Sequence, residues 1–89
     1  MSHAVDIDEW FLDREKRVRL RVRIVEFDGR WRIDIRPWSA SDDGLEQPSR
    51  KGLALAIRHL CRLKNAIAKA YVGAVARDLI DAIPEPESD

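Results

Sequence analysis

Cysteine occurs once in this chain, at Cys61, so neither an internal disulfide nor a multi-cysteine metal site can form, and a reducing compartment is the simpler setting. Glycine is sparse as well, and its four residues build no loop that could cradle a phosphate. No hydrophobic run is long enough to cross a membrane and no signal-peptide layout is present, so no membrane partner is expected. A convergent set of acid, base, nucleophile or metal ligands is also missing. The acids fall in tails, turns and one cross-strand position. His59 lies two residues from Cys61, which puts the two on different sides of a helix. Neither an enzyme nor a cofactor is expected.

Charge is abundant and unevenly placed. At 89 residues the chain makes one domain, with a marginal core unless a partner covers more apolar surface. Its formal net charge is zero, yet residues 1–13 hold four acids and no base. Residues 14–64 hold fourteen basic and seven acidic residues, and residues 65–89 hold two basic and five acidic. Local sign, not the total, decides what docks on a surface.

The basic middle has a pattern. In Arg17-Val18-Arg19-Leu20-Arg21-Val22-Arg23-Ile24, charge and hydrocarbon alternate with the side-chain period of a strand. Arg30-Trp31-Arg32-Ile33-Asp34-Ile35-Arg36 repeats this after Asp28-Gly29, a strong hairpin signal. A two-residue turn predicts Phe27 opposite Arg30, Ile24 opposite Ile33 and Val22 opposite Ile35, so that the apolar sides agree. The other face then carries Arg19, Arg21, Arg23 and Phe27 from the first strand and Arg30, Arg32, Arg36 and Trp38 from the second. Arg23 falls opposite Asp34, an ion pair, and Arg21 falls opposite Arg36, a repulsion that destabilises a sheet. A guanidinium plate repels itself unless something anionic lies on it. With Phe27 among the charges, the pattern suits single-stranded nucleic acid, whose phosphates pair with arginine and whose unstacked bases find rings. A solvated polar face with one ring covered by a loop is the plainer alternative.

Around the hairpin, Trp10-Phe11-Leu12 suggests a short strand or an apolar anchor. The strands are predicted at 17–27 and 30–38, with Pro37 placing a strand end or edge, and Trp31 joins the core. Residues 39–49 read as a loop and 50–55 as a further short strand, with Arg50 and Lys51 as candidate phosphate contacts. From Ile57 the period becomes 3.6. Ile57, Leu60, Cys61, Ile67, Ala68, Tyr71, Val75 and Leu79 form a stripe that predicts a helix to about Ala82. A second strip, Ala66, Ala70 and Ala74, together with a length of about 39 Å, favours a homodimer. Residues 84–89 form an acidic tail expected to be disordered.

Val25-Glu26-Phe27-Asp28-Gly29-Arg30, Ile33-Asp34-Ile35-Arg36 and Pro48-Ser49-Arg50-Lys51-Gly52-Leu53-Ala54-Leu55, in this order and spacing, resemble the positive cofactor 4 family of transcriptional coactivators. Leu60, Leu63, Lys64 and Ile67 extend the likeness into the helix. The resemblance implies an α+β fold: a four-stranded, strongly curved antiparallel sheet followed by one long C-terminal helix, paired into a homodimer. It further implies single-stranded DNA as the ligand, with Phe27, Arg30, Arg36 and Lys51 as binding residues by matching position. Asp28, Ser39 and Gln47 depart from the family pattern, and the acidic, serine-rich arm of the eukaryotic coactivator is absent. A compact form of bacterial or phage type fits best, cytoplasmic and nucleoid-associated if bacterial. The expected organisation is an acidic segment at 1–13, a binding domain at 14–83 and a tail at 84–89. RNA remains open as a ligand, and transcription or repair machinery as partners. A module docking an acidic protein on the arginine face is the competing reading.

Overall fold

The computed structural model describes residues 2–81. The tail at 84–89 and the helix end near Ala82 lie outside the described residues. The chain divides into a sheet unit, Met1–Ile57, and a helical unit, Arg58–Asp89.

Strands β2 (Val18–Phe27) and β3 (Arg30–Ala40) form the hairpin in the expected register, with Phe27 opposite Arg30, Ile24 opposite Ile33, Val22 opposite Ile35 and Arg21 opposite Arg36. Asp28 and Gly29 both take positive φ, 57° and 74°, as a type I′ turn requires. Pairing continues through Pro37 to Val18 opposite Ser39. The Pro37 carbonyl accepts from the Ser49 N–H at 2.8 Å, on the side away from β2. A strand residue's N–H and C=O point the same way, so the missing proline donor costs the β2–β3 ladder nothing. The strand end expected near Pro37 therefore comes at Ala40.

Two further differences follow. The short strand suggested at 10–12 is part of β1 (Ser2–Asp13), twelve residues paired antiparallel along the whole of β2. The segment 39–49 is a loop only in part, because β4 (Glu46–Pro48) pairs with the end of β3. Within that loop Asp43 accepts from the Ser41 hydroxyl and from the Leu45 N–H, which holds its carboxyl below the ordinary value. Strand β5 (Leu53–Ala56) pairs with the start of β3. The sheet is antiparallel and open, with five strands rather than four, in the order β1-β2-β3-β4 with β5 also on β3.

One face is apolar. Val5, Ile24, Ile33 and Leu55 form a row straight across β1, β2, β3 and β5, because each is the direct register partner of the next. Ile33, with a paired strand on both sides, is only 4% exposed and is the one buried apolar side chain among the described residues. Trp31, expected in the core, is 42% exposed. It lies one position beyond Arg32, where the β5 pairing ends opposite Ala56, so it has a neighbour strand on one side only.

In the helical unit, a turn of 3-10 helix (Ile57–His59) leads into α1 (Leu60–Ala76), 17 residues and so about 26 Å long. The stop comes earlier than expected because Asp78 adopts a left-handed conformation, φ 59°. Leu79 N–H bonds the Ala74 carbonyl and Asp78 N–H the Val75 carbonyl, the two hydrogen bonds of a Schellman stop. The Arg77 guanidinium caps the Gly73 carbonyl at 3.0 Å. The length argument for a homodimer lapses with the shorter helix, while the strip of Ala66, Ala70 and Ala74 stays on one helix side.

Gly52 brings the chain against β3 just before β5. A Cβ there would collide with the Arg36 Cβ and stand 3.0 Å from the Ile35 carbonyl oxygen. Because the obstacle includes β3 backbone, Gly52→Ala is expected to destabilise the fold by about 1–3 kcal/mol. A lowered urea midpoint with an unchanged slope would show it.

Candidate nucleic-acid interface

On the face opposite the apolar row, the register sets side chains in successive cross-strand rows. At the turn end stand Phe27 and Arg30, then Val25 and Arg32, the latter beside Ala4 across β2 and Ala56 on β5. Next come Asp6, Arg23 and Asp34, then Glu9, Arg21 and Arg36, and at the far end Phe11, Arg19, Trp38 and Pro48. Asp6 and Glu9 are three residues apart and would point to opposite faces in a regular strand. The ladder skips Ile7, a bulge that resets the parity and brings both carboxylates to the arginine side.

The middle rows are neutralised from within the chain. Arg23 Nε donates to Asp6 Oδ1 at 2.8 Å, Arg19 to Glu9 Oε2 at 3.0 Å and Arg21 to Glu46 Oε2 at 2.8 Å. Arg21 Nε also lies 3.3 Å from Glu9 Oε1. Arg36 donates from Nε to both Asp34 oxygens, at 2.8 and 2.9 Å, and from a terminal nitrogen to the Ser49 carbonyl. The Asp34 hydrogen bonds raise the Arg36 pKa further, burial works against them, and the Asp34 charge adds to them. The cross-strand partners expected from the sequence are thus exchanged: Arg23 pairs with Asp6 on β1, and Asp34 serves Arg36 on its own strand. The Arg21–Arg36 opposition is real, and each guanidinium carries its own carboxylate.

Trp38 sits in the expected parity, but its ring is taken. The guanidinium carbons of Arg21 and Arg23 stand 4.5 and 5.3 Å from it. Its Nε1 is buried without a hydrogen bond among the described residues.

The turn end differs. Phe27 is 67% exposed. With Asp28, Arg30 and Arg32 it lines an open hollow of about 590 Å³. Arg30 and Arg32 form no ion pair among the described residues, and neither do Arg50 and Lys51, both exposed on the loop before β5. Lys51 is positioned by its backbone N–H, which donates to Ser49 Oγ at 3.0 Å. The structure therefore brings Phe27, Arg30 and Arg32 together, and sets Arg19, Arg21, Arg23, Arg36 and Trp38 into a network of their own.

Sequence reasoning misses Asp6, Glu9 and Glu46 as parts of this face, along with Phe11. Asp6 and Glu9 carry no periodic signal because the bulge hides it. Glu46 lies in a stretch that reads as loop.

An open antiparallel sheet followed by one helix, with rings and guanidinium groups set across one sheet face, defines a small α+β module with a cationic, aromatic surface. The chain belongs to the transcriptional coactivator p15 (PC4) family, whose family model matches residues 10–66, more than half of its length. This membership supports a nucleic-acid-binding, coactivator-like role in general terms. No curated protein and no solved structure matches the chain. Asp6 and Glu9 precede the matched segment.

Glu9→Gln removes the charge that serves Arg19 and Arg21. The Arg19 side chain is 41% exposed, whereas that of Arg21 is 11% exposed, so the loss is expected to be about 1 kcal/mol and mostly from Arg21. Urea unfolding in low and high salt checks this, since screening should shrink the difference.

Proposed function

We propose that this protein binds single-stranded DNA, largely without regard to sequence, as a homodimer that protects or presents melted DNA in transcription, replication or repair. The observation that carries the reading is the exposed Phe27 ring directly opposite Arg30 and beside Arg32, cations with no internal partner among the described residues. A base stacks on such a ring while its phosphate meets a guanidinium, and the pairing is tolerant of sequence because every base has a π-face. Duplex DNA uses the charge but offers the ring nothing. Arg50 and Lys51 supply further phosphate contacts by position in the family motif. Binding, not catalysis, is the activity.

The homodimer is supported by α1. Ile67 and Val72 are more than half exposed, and Tyr71 is exposed beside them, so the helix carries apolar surface that a second copy would cover. A ring and a guanidinium read no 2′-hydroxyl, so RNA single strands are expected to compete for the same surface.

The test is fluorescence anisotropy with a labelled oligothymidylate, matched duplex as competitor and a salt series. Tight binding that resists duplex is expected. Phe27→Ala should lose about 1–3 kcal/mol per stacked base, and Arg30→Ala should flatten the log–log salt slope by about 0.7. Equal competition by duplex, or no response to Phe27→Ala, would point to charge alone and to an acidic protein as the partner. Sedimentation of the unliganded protein at dimer mass checks the pairing.

A further inference from the structure

Two of the carboxylates on the arginine face, Asp6 and Glu9, come from β1. Asp6 holds Arg23 at 2.8 Å and Glu9 holds Arg19 at 3.0 Å, each the one carboxylate paired with that guanidinium among the described residues. Arg21 shares Glu9 but keeps Glu46 as well, and its side chain is withdrawn from water. The Arg19 and Arg23 side chains are 41% and 23% exposed, so an anion from solvent can reach both. A ring backs each of them. The Arg19 guanidinium carbon stands 4.6 Å from the Phe11 ring centre and that of Arg23 5.3 Å from the Trp38 ring centre. Such a contact holds a guanidinium in place even when its carboxylate is neutral.

We propose that Asp6 and Glu9 are affinity-determining residues of this face, internal anions seated on Arg23 and Arg19 where phosphates of a bound strand would otherwise sit. The proposal rests on the single-strand reading given above and adds what limits it. A carboxylate and a phosphate use the same guanidinium edge. A phosphate that takes Arg23 must displace Asp6, and the displaced charge stays beside it as a repulsion. A cation already paired within the chain also adds little to the counterion release that drives polyanion binding. Phosphate contact is thereby confined to the turn end, where Arg30 and Arg32 form no ion pair among the described residues.

The placement is specific. Arg23 and Arg19 lie four and eight residues from Phe27 on β2, about 14 and 27 Å at strand rise, so a strand that stacks on Phe27 and follows β2 passes both. Because the ladder skips Ile7, Asp8 falls opposite Val22, while Asp6 and Glu9 fall opposite Arg23 and Arg21. Both acids precede the segment matched by the family model, whereas the arginines they serve lie within it.

The experiment measures anisotropy of a labelled oligothymidylate of about 16 nucleotides across a salt series, with circular dichroism melting to confirm folding. The variants are Asp6→Asn, Glu9→Gln and the two together, which keep shape and remove charge. Asp8→Asn/Asp78→Asn is the control, taking the same charge from the Val22 side of β1 and from the turn after α1. Asp6→Asn/Glu9→Gln should bind about tenfold or more tighter at low salt and steepen the log–log slope by about 1.4, about 0.7 from each arginine released. The control should stay within about twofold of wild type, because its carboxylates face no arginine of this row. A second comparison is read within each background. Arg23→Ala should change wild-type affinity by less than about twofold yet abolish the gain of Asp6→Asn.

Unchanged affinity and slope in Asp6→Asn/Glu9→Gln, with Phe27→Ala still weakened, overturns the proposal and leaves the single-strand reading standing. An equal gain in the control would mean net charge alone and overturns it too. So does an Arg23→Ala loss that is the same with and without Asp6. Failure of the wild type and of every variant to bind removes both readings.

Discussion

Three guanidinium groups stand side by side at the centre of one sheet face, and the sheet depends on the carboxylates that reach them. Arg21 faces Arg36 across the hairpin, with Arg23 in the next row. Left alone, such a set would push the strands apart. Glu9 and Glu46 serve Arg21, Asp6 serves Arg23, and Asp34 chelates Arg36. The device that makes this possible is small: one unpaired residue, Ile7, turns two acids three positions apart toward the same face. The long pairing of β1 along β2 fits this, since β1 brings counter-charge to a strand that carries three arginines. Two-sided solvation would not do as well, because Arg21 is largely withdrawn from water.

The hairpin could be read from the residues because two independent signals agreed there, an Asp-Gly turn and an alternation whose apolar positions match only in one register. Phe27, Arg30 and Arg32 were legible for the same reason: at the turn end, parity alone decides where a side chain points. Elsewhere the local signal was overwritten. The two bulges of β1 break its alternation, so twelve residues of strand look like three. β4, Glu46-Gln47-Pro48, is exposed throughout, lacks an apolar alternation and owes its conformation to the end of β3. The helix stops at a left-handed Asp78, a position where glycine would have announced itself. The roles of Arg21, Arg23, Arg36 and Trp38 were illegible because their partners come from β1, β4 and the packing of arginine on a ring, none of which strand periodicity contains.

The apolar face tells a complementary story. Its strongest row runs Val5, Ile24, Ile33 and Leu55; the two inner members each have a paired strand on both sides, and of these Ile24 is half-buried and Ile33 buried. Val5 lies on the edge strand and is half exposed, and Trp31 lies past the end of β5. At the rims of the sheet, exposure follows where a neighbour strand ends, whatever the hydrophobicity of the residue. Gly52 is part of the same constraint, since β5 reaches β3 only where no Cβ intervenes.

A count of arginines therefore overstates what the face offers an anion. The neutral centre is built partly from Asp6 and Glu9, which precede the segment shared with the coactivator family. Cations without an ion pair among the described residues stand at the turn end, as Arg30 and Arg32, whereas the guanidinium groups at the centre of the face already hold carboxylates. Taking one of those means breaking an existing ion pair, an exchange of one anion for another with little net gain. The rings of this face differ in the same way. Phe27 is open and has no competing cation on it, whereas Trp38 is covered by Arg21 and Arg23 and Phe11 by Arg14 and Arg19. On a surface whose charge is so largely satisfied, the open ring of Phe27 is the feature that the internal ion pairs leave untouched.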